Sequence, residues 1–195
     1  IPMLQTNRGC PFSCTFCTDG REAVNMVNRF SKQRTTDEIN YIATHVKKNV
    51  HSMFISDLNF GMIPGDIETC NSITNVQEKY NYPHKLLTTT GKNNKKKIIE
   101  SIKSLSSSLS LSMSVQSMDD QVLKNIKRDN ISKDVMLELA PVIKENGMNT
   151  TAEVILGLPG ETYESHLETI RKLTDAKLDD IITYTCFLLP GSEMA

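Results

Sequence analysis

Cys10, Cys14 and Cys17 fall within eight residues, in the run Gly9-Cys10-Pro11-Phe12-Ser13-Cys14-Thr15-Phe16-Cys17, with the spacing C-x3-C-x2-C. Thiolates are soft ligands that select iron–sulfur clusters, zinc or copper. Three of them on one short loop can wrap one compact metal centre. A [4Fe-4S] cubane held by three cysteines leaves one iron open to a substrate or cofactor, as a catalytic zinc keeps one position open. A structural zinc needs a fourth Cys or His; the loop offers neither, and the nearest histidine is His45. Three unrelated buried thiols are the remaining alternative, although so dense a loop is a poor place to bury them. Of the five cysteines, Cys70 and Cys186 read as core. An odd total with one tight cluster points to a reducing compartment, taken as the cytoplasm, rather than a secreted disulfide framework. His45, His51, His84 and His166 show no ligand spacing and read as surface groups.

The cysteine loop follows a short β-like run at Met3 to Thr6, and from there strands alternate with amphipathic helices, the pattern of βαβ units and a parallel sheet. A first helix is expected from Thr35, with Glu38 completing a capping box and Ile39, Ile42, Ala43 and Val46 on one face. Ser52 to Leu58 reads as a strand, and a helix from Gly65 to Tyr80 is expected to bury Ile67, Cys70, Ile73 and Val76. Lys85 to Thr90 is the third strand. Ile98, Ile99, Ile102 and Leu105 mark a helix, the serines at Ser106 to Ser108 a turn, and Leu109 to Gln116 a fourth strand. Helical pieces follow at Asp119 to Lys127 and Ser132 to Asn146, the latter kinked by Pro141 and stopped by Gly147. A strand at Thr151 to Leu156, a helix at Thr162 to Ala176 and a strand at Ile181 to Leu188 complete the order. The expected fold is α/β: an incomplete (β/α)6 TIM-like barrel of parallel strands with outer helices, with its chemistry at the C-terminal strand ends.

The fourth strand alternates strictly. Leu109, Leu111, Met113 and Val115 are expected to pack outward under the helices, leaving Ser110, Ser112, Ser114 and Gln116 to face the interior. Barrel interiors are ordinarily filled by branched apolar residues, so small polar ones imply a cavity. Asp57 and Asn59 end the second strand, where such a pair can cap its own loop. Arg128 reads on its own as one side of a surface salt bridge. Glu153 opens the run Glu153-Val-Ile-Leu-Gly157-Leu-Pro-Gly160-Glu161-Thr162, whose glycines let backbone approach a ligand closely.

These motifs, in this order, resemble the radical S-adenosylmethionine (SAM) superfamily, and the resemblance runs from Thr6 to Gly191. It implies that Cys10, Cys14 and Cys17 hold a [4Fe-4S] cluster whose open iron is chelated by SAM. Reductive cleavage would then give a 5'-deoxyadenosyl radical that abstracts hydrogen from a substrate the sequence does not identify. Phe16 matches the aromatic position whose backbone meets the adenine. The resemblance further implies Asp57 or Asn59 for the SAM amino group, Gln116 and Glu153 for the ribose, Arg128 for the carboxylate and Gly157 beside the adenine. The sequence Asp57-Leu-Asn-Phe60 departs from the Gly-Gly-Glu form common in the family. The lead-in Arg8-Gly9-Cys10-Pro11 resembles the subgroup often fused to an upstream cobalamin-binding domain, which makes cobalamin a further expected cofactor and methyl transfer an expected reaction. Flavodoxin or ferredoxin would be the electron donor.

The alternatives are a cobalamin-independent oxidoreductase resembling coproporphyrinogen dehydrogenase, a methylthiotransferase, or a non-catalytic Fe-S or zinc module. A net charge of -1 gives no electrostatic footprint for nucleic acid, and the run Lys92 to Lys97 reads as a solvated loop. No apolar run reaches the ~18 residues of a membrane span. Residues 1–195 read as one core domain; Ile at position 1 and an end soon after a Pro-Gly turn suggest a piece of a longer protein.

Overall fold

The computed structural model describes residues 1–90, 105, 109–128, 145 and 149–195. Its main sheet has six strands: β1 (Met3–Leu4), β4 (Ser52–Phe60), β5 (Lys85–Thr90), β6 (Leu109–Gln116), β7 (Thr150–Leu156) and β8 (Asp180–Thr185). They lie in the order β1-β4-β5-β6-β7-β8, and every neighbouring pair is parallel. β1 and β8 are the two edges, so the barrel is open, as expected. The second sheet is a two-stranded antiparallel ribbon of β2 (Asn7–Arg8) and β3 (Asn28–Arg29). The loop between its strands carries all three clustered cysteines.

Around the sheet run α1 (Lys32–His45), α2 (Asp66–Tyr80), α3 (Asp120–Asn125) and α4 (Tyr163–Asp175). The core forms where alternate strand residues meet these helices. Met53, Ile55, Leu86, Met113, Val115, Ala152 and Val154 pack with Ile39, Cys70, Ile73, Val76 and Leu173 in one buried cluster. Met113 and Val115 therefore take the outward face that period-two alternation assigns them. The expected helix through Ile98 to Leu105 is described only at Leu105, which is helical and buried. Lys92 to Lys97, the serine turn and the piece from Ser132 to Asn146 lie outside the described residues, apart from the helical Glu145.

Four expectations shift. α1 begins three residues before Thr35, because Ser31 caps it by accepting from the Arg34 amide at 3.2 Å, and Thr35 is buried in the first turn instead. Ile67 is only half-buried, since α2 turns Asp66, Thr69 and Cys70 inward at that end. β8 stops at Thr185, and residues 186–189 leave the sheet. His166 is not a surface group: its side chain is 13 % exposed, and its Nδ1 meets Glu161 Oε1 at 3.0 Å.

Candidate functional site

The cysteine loop folds back on itself because two glycines let it. Gly9 has φ +95, and a Cβ there would lie 2.1 Å from the Met26 carbonyl oxygen; a Cβ on Gly20 would lie 2.5 Å from that of Cys14. An L-residue at Gly9 would be strained twice over, by its backbone angle and by the clash. The Thr15 amide donates to the Ile126 carbonyl at 3.1 Å and the Met194 amide to the Thr15 carbonyl at 3.1 Å, so the loop is held across the barrel mouth. Cys10 and Cys14 are buried and Cys17 is half-buried; all five cysteines are free thiols.

Among the described residues no three Cys, His, Asp or Glu side chains converge as a single bound ion requires. A cubane makes a weaker demand, since each thiolate binds a different iron. The donor set fits such a cluster: three soft sulfurs on one loop, two of them already accepting N–H groups. The Asn59 Nδ2 donates to Cys10 Sγ at 3.3 Å, and Arg128 Nη1 donates to Cys14 Sγ at 3.6 Å. Burial lowers the Arg128 pKa, and the negative charges of Cys14, Cys10 and Cys17 oppose that shift.

β4 delivers Asp57 and Asn59 through a register shift in its pairing with β5 between Ile55 and Phe60. The two acceptors have separate surroundings. Asp57 Oδ1 accepts from the Thr6 amide at 2.8 Å and the Asn7 amide at 3.4 Å. Its Oδ2 accepts from the Thr6 hydroxyl and from Asn7 Nδ2. Asp57 thus ties the start of the cysteine ribbon to β4. Burial pushes its carboxyl up, against the lowering effect of these hydrogen bonds. Asn59, 1 % exposed, keeps Oδ1 without a hydrogen-bond partner among the described residues.

The turn after β4 is organised by Asp66, whose Oδ2 accepts from the Gly61 and Ile63 amides at 2.9 Å each. Burial is the main reason its carboxyl is pushed up to about 6, and the Asp57 charge adds to it. A carboxyl raised on folding stabilises most below its ordinary value of 3.8, and that contribution is lost as pH rises towards 6. Asp66→Asn keeps an acceptor for both amides and removes the titration. The wild-type thermal midpoint is therefore expected to fall by about 2–4 °C more than that of the variant between pH 5 and pH 7, from roughly 1 kcal/mol of linkage. Parallel pH profiles in melting experiments would reveal the absence of any such difference.

On the facing strands, Ser114 and Glu153 are register partners, and Ser114 Oγ donates to Glu153 Oε2 at 2.7 Å. A register shift then brings Gln116 opposite Val154, with Gln116 at φ +67. Gln116 is buried, and its Oε1 has no partner among the described residues. Phe16, Gln116, Glu153, Ile155, Tyr184 and Cys186 line one cavity of about 200 Å³ at the C-terminal strand ends. Cys186, expected in the core, packs against the small buried cluster of Val122, Ile126 and Leu158 and also lines this space, as does Tyr184. Their signal was available, because each sits where a sixth barrel strand ends. Gly157 has φ +88, and its amide is held by the Glu161 carboxylate. Gly160 serves packing: a Cβ there would lie 2.5 Å from Asn125 Nδ2, which donates to the Pro159 carbonyl.

An open parallel barrel with three thiols at its mouth, beside a cavity lined by a Gln and a Glu, has the donor types to hold a metal cluster and an adjacent small-molecule cofactor. The radical SAM superfamily model matches residues 4–173, and the chain belongs to that family. It is 31% identical, over 98% of its length, to the cobalamin-dependent radical SAM methyltransferase TokK of Streptomyces tokunonensis, covering 28% of that protein. It is also 31% identical, with the same coverage, to the 2-(S-pantetheinyl)-carbapenam-3-carboxylate methyltransferase of Streptantibioticus cattleyicolor. Among solved structures, the radical SAM methyltransferase TsrM from Kitasatospora setae superposes with a TM-score of 0.83 at 14% identity, over 100% of this chain and 36% of that one. That likeness shows the shared fold. The chain thus spans less than a third of the length of these two curated relatives.

Proposed function

We propose that this chain is the SAM-cleaving core of a cobalamin-dependent radical SAM methyltransferase, with Cys10, Cys14 and Cys17 as ligands of a [4Fe-4S] cluster. The observation that carries the reading is the cysteine loop, with Cys10 and Cys14 buried, held at the barrel mouth next to the Gln116–Glu153 cavity. When bound, the reduced cluster supplies the electron that cleaves the C–S bond of SAM. The chain's residues bind and orient. Asn59 Oδ1, a buried acceptor beside Cys10, receives the SAM ammonium more readily than Asp57, whose oxygens are engaged by Thr6 and Asn7. Gln116 and Glu153 hold the ribose, Phe16 and the Gly157 turn flank the adenine, and Arg128 contributes N–H donors to the carboxylate, since a guanidinium has five.

Methyl transfer through cobalamin is supported by the 31% identical cobalamin-dependent relative. Methylthiotransfer is a weaker second reading, favoured by the 23% identity to a tRNA-2-methylthio-N(6)-dimethylallyladenosine synthase from Sulfurihydrogenibium sp.. A reducing cytoplasm and a flavodoxin- or ferredoxin-type donor suit free thiols and a low-potential cluster. No helix among the described residues is long and apolar enough to cross a membrane.

Anaerobic incubation of the reconstituted protein with SAM and a strong reductant should yield 5'-deoxyadenosine and methionine, slowly, without any substrate. With the whole protein, cobalamin and methyl-labelled SAM, the label should appear on cobalamin. SAM recovered intact under strong reduction would defeat the cleavage reading; cleavage with no labelled cobalamin would defeat only the methyl-transfer part.

A further inference from the structure

We infer that Asn59 and Arg128 set the reduction potential of the cluster by donating N–H groups to two of its thiolates. The inference rests on Cys10, Cys14 and Cys17 being cluster ligands. Asn59 Nδ2 lies 3.3 Å from Cys10 Sγ and Arg128 Nη1 lies 3.6 Å from Cys14 Sγ, both within reach of an N–H···S bond. The two donors are 1 % and 4 % exposed. Such burial lowers the local dielectric, so each charge or dipole acts more strongly on the sulfur it faces than it would in water.

The placement of Arg128 is built into the backbone. α3 ends in a Schellman motif: the Arg128 amide donates to the Leu123 carbonyl at 2.9 Å and the Lys127 amide to the Lys124 carbonyl at 3.2 Å. Lys127 takes φ +51 to make the turn, a conformation unfavourable for a side-chain-bearing residue. Arg128 follows that turn and is buried against Cys14, on a loop fastened to the same helix end by the Thr15–Ile126 bond. Asn59 reaches Cys10 from the end of β4.

Reduction adds one electron to a centre that its thiolates already make negative. A buried cation and an aligned N–H dipole favour the more negative state, so both donors raise the potential and make the cluster easier to reduce. A guanidinium brings a full charge where the Asn59 amide brings only a dipole, so Arg128 is expected to have the larger effect. Both act as positioning and tuning residues, through sulfur, independently of any contact with SAM.

The test is a redox titration of the anaerobically reconstituted whole protein without SAM, followed by the cluster's visible absorbance and electron paramagnetic resonance. At the wild-type midpoint, Arg128→Met should lower the ratio of reduced to oxidised cluster about tenfold or more, a shift of about 59 mV for a one-electron couple. Asn59→Ala should shift it in the same direction by less, and Arg128→Lys should recover part of the loss because it keeps the cation. The potential is read on whatever cluster a variant retains, so partial loss of iron does not obscure it. Midpoints equal to wild type in both Arg128→Met and Asn59→Ala would overturn the inference. A wild-type protein that takes up no iron would instead overturn the cluster assignment beneath it.

Discussion

Alanine at Cys10, Cys14 or Cys17 is expected to remove the brown colour and nearly all the iron, about four per chain in the wild type, from anaerobically reconstituted protein. In the proposed cluster each thiolate would hold a different iron, so losing one would open a second coordination position and leave two protein ligands. No neighbouring group stands by to substitute: among the described residues no further Cys, His, Asp or Glu forms a ligand group with them. Cys70→Ala and Cys186→Ala are expected to keep their iron. Cys70 is fully buried in the main core, so its change should cost stability rather than cluster. Cys186 lines the cavity on the strand-eight side and belongs to the small cluster around Val122, Ile126 and Leu158. Stoichiometric zinc without iron in anaerobically prepared protein would sink the assignment, and iron retained by a Cys14→Ala variant would show that the three thiols do not act together.

The parts of this arrangement that were legible in the sequence are those fixed by local periodicity. The alternation from Leu109 to Gln116 gave the strand and its two faces, because a strand's side chains change sides at every residue. The cysteine spacing placed three thiols on one loop because it is a short-range motif. What escaped is long-range. The contacts of Asn59 with Cys10 and of Arg128 with Cys14 join residues 49 and 114 positions apart, and nothing in either local pattern names the sulfur as the partner. Asp57 looked equivalent to Asn59 by type and position, yet only the packing of β1 against β4 reveals that Thr6 and Asn7 occupy its carboxylate. The α1 start was misplaced for a local reason: two capping signals compete within five residues, and the burial of Thr35 decides for Ser31.

Glu153→Ala is expected to weaken SAM binding roughly ten- to a hundredfold while leaving the iron content unchanged. Glu153 is the register partner of Ser114, whose hydroxyl donates to one of its carboxylate oxygens at 2.7 Å and so fixes the side chain where it lines the cavity. A ribose hydroxyl donating to a fixed carboxylate makes a charge-assisted hydrogen bond, and losing one costs on the order of 1.5–3 kcal/mol. At ~1.4 kcal/mol per decade this is the stated range. Gln116→Ala should act in the same direction and by less, because its amide is neutral. Its buried Oε1 lacks a protein partner among the described residues, so a bound hydroxyl would satisfy a group that otherwise stays desolvated and unpaired. Glu153→Gln supplies the internal control: it keeps an acceptor of similar shape without the charge, and its loss should fall between those of wild type and the alanine variant. Equilibrium binding of SAM to cluster-loaded protein, with iron measured on the same samples, separates the effects. Wild-type affinity in both Glu153→Ala and Gln116→Ala would show that the ribose is held elsewhere on the barrel, whatever becomes of the cluster.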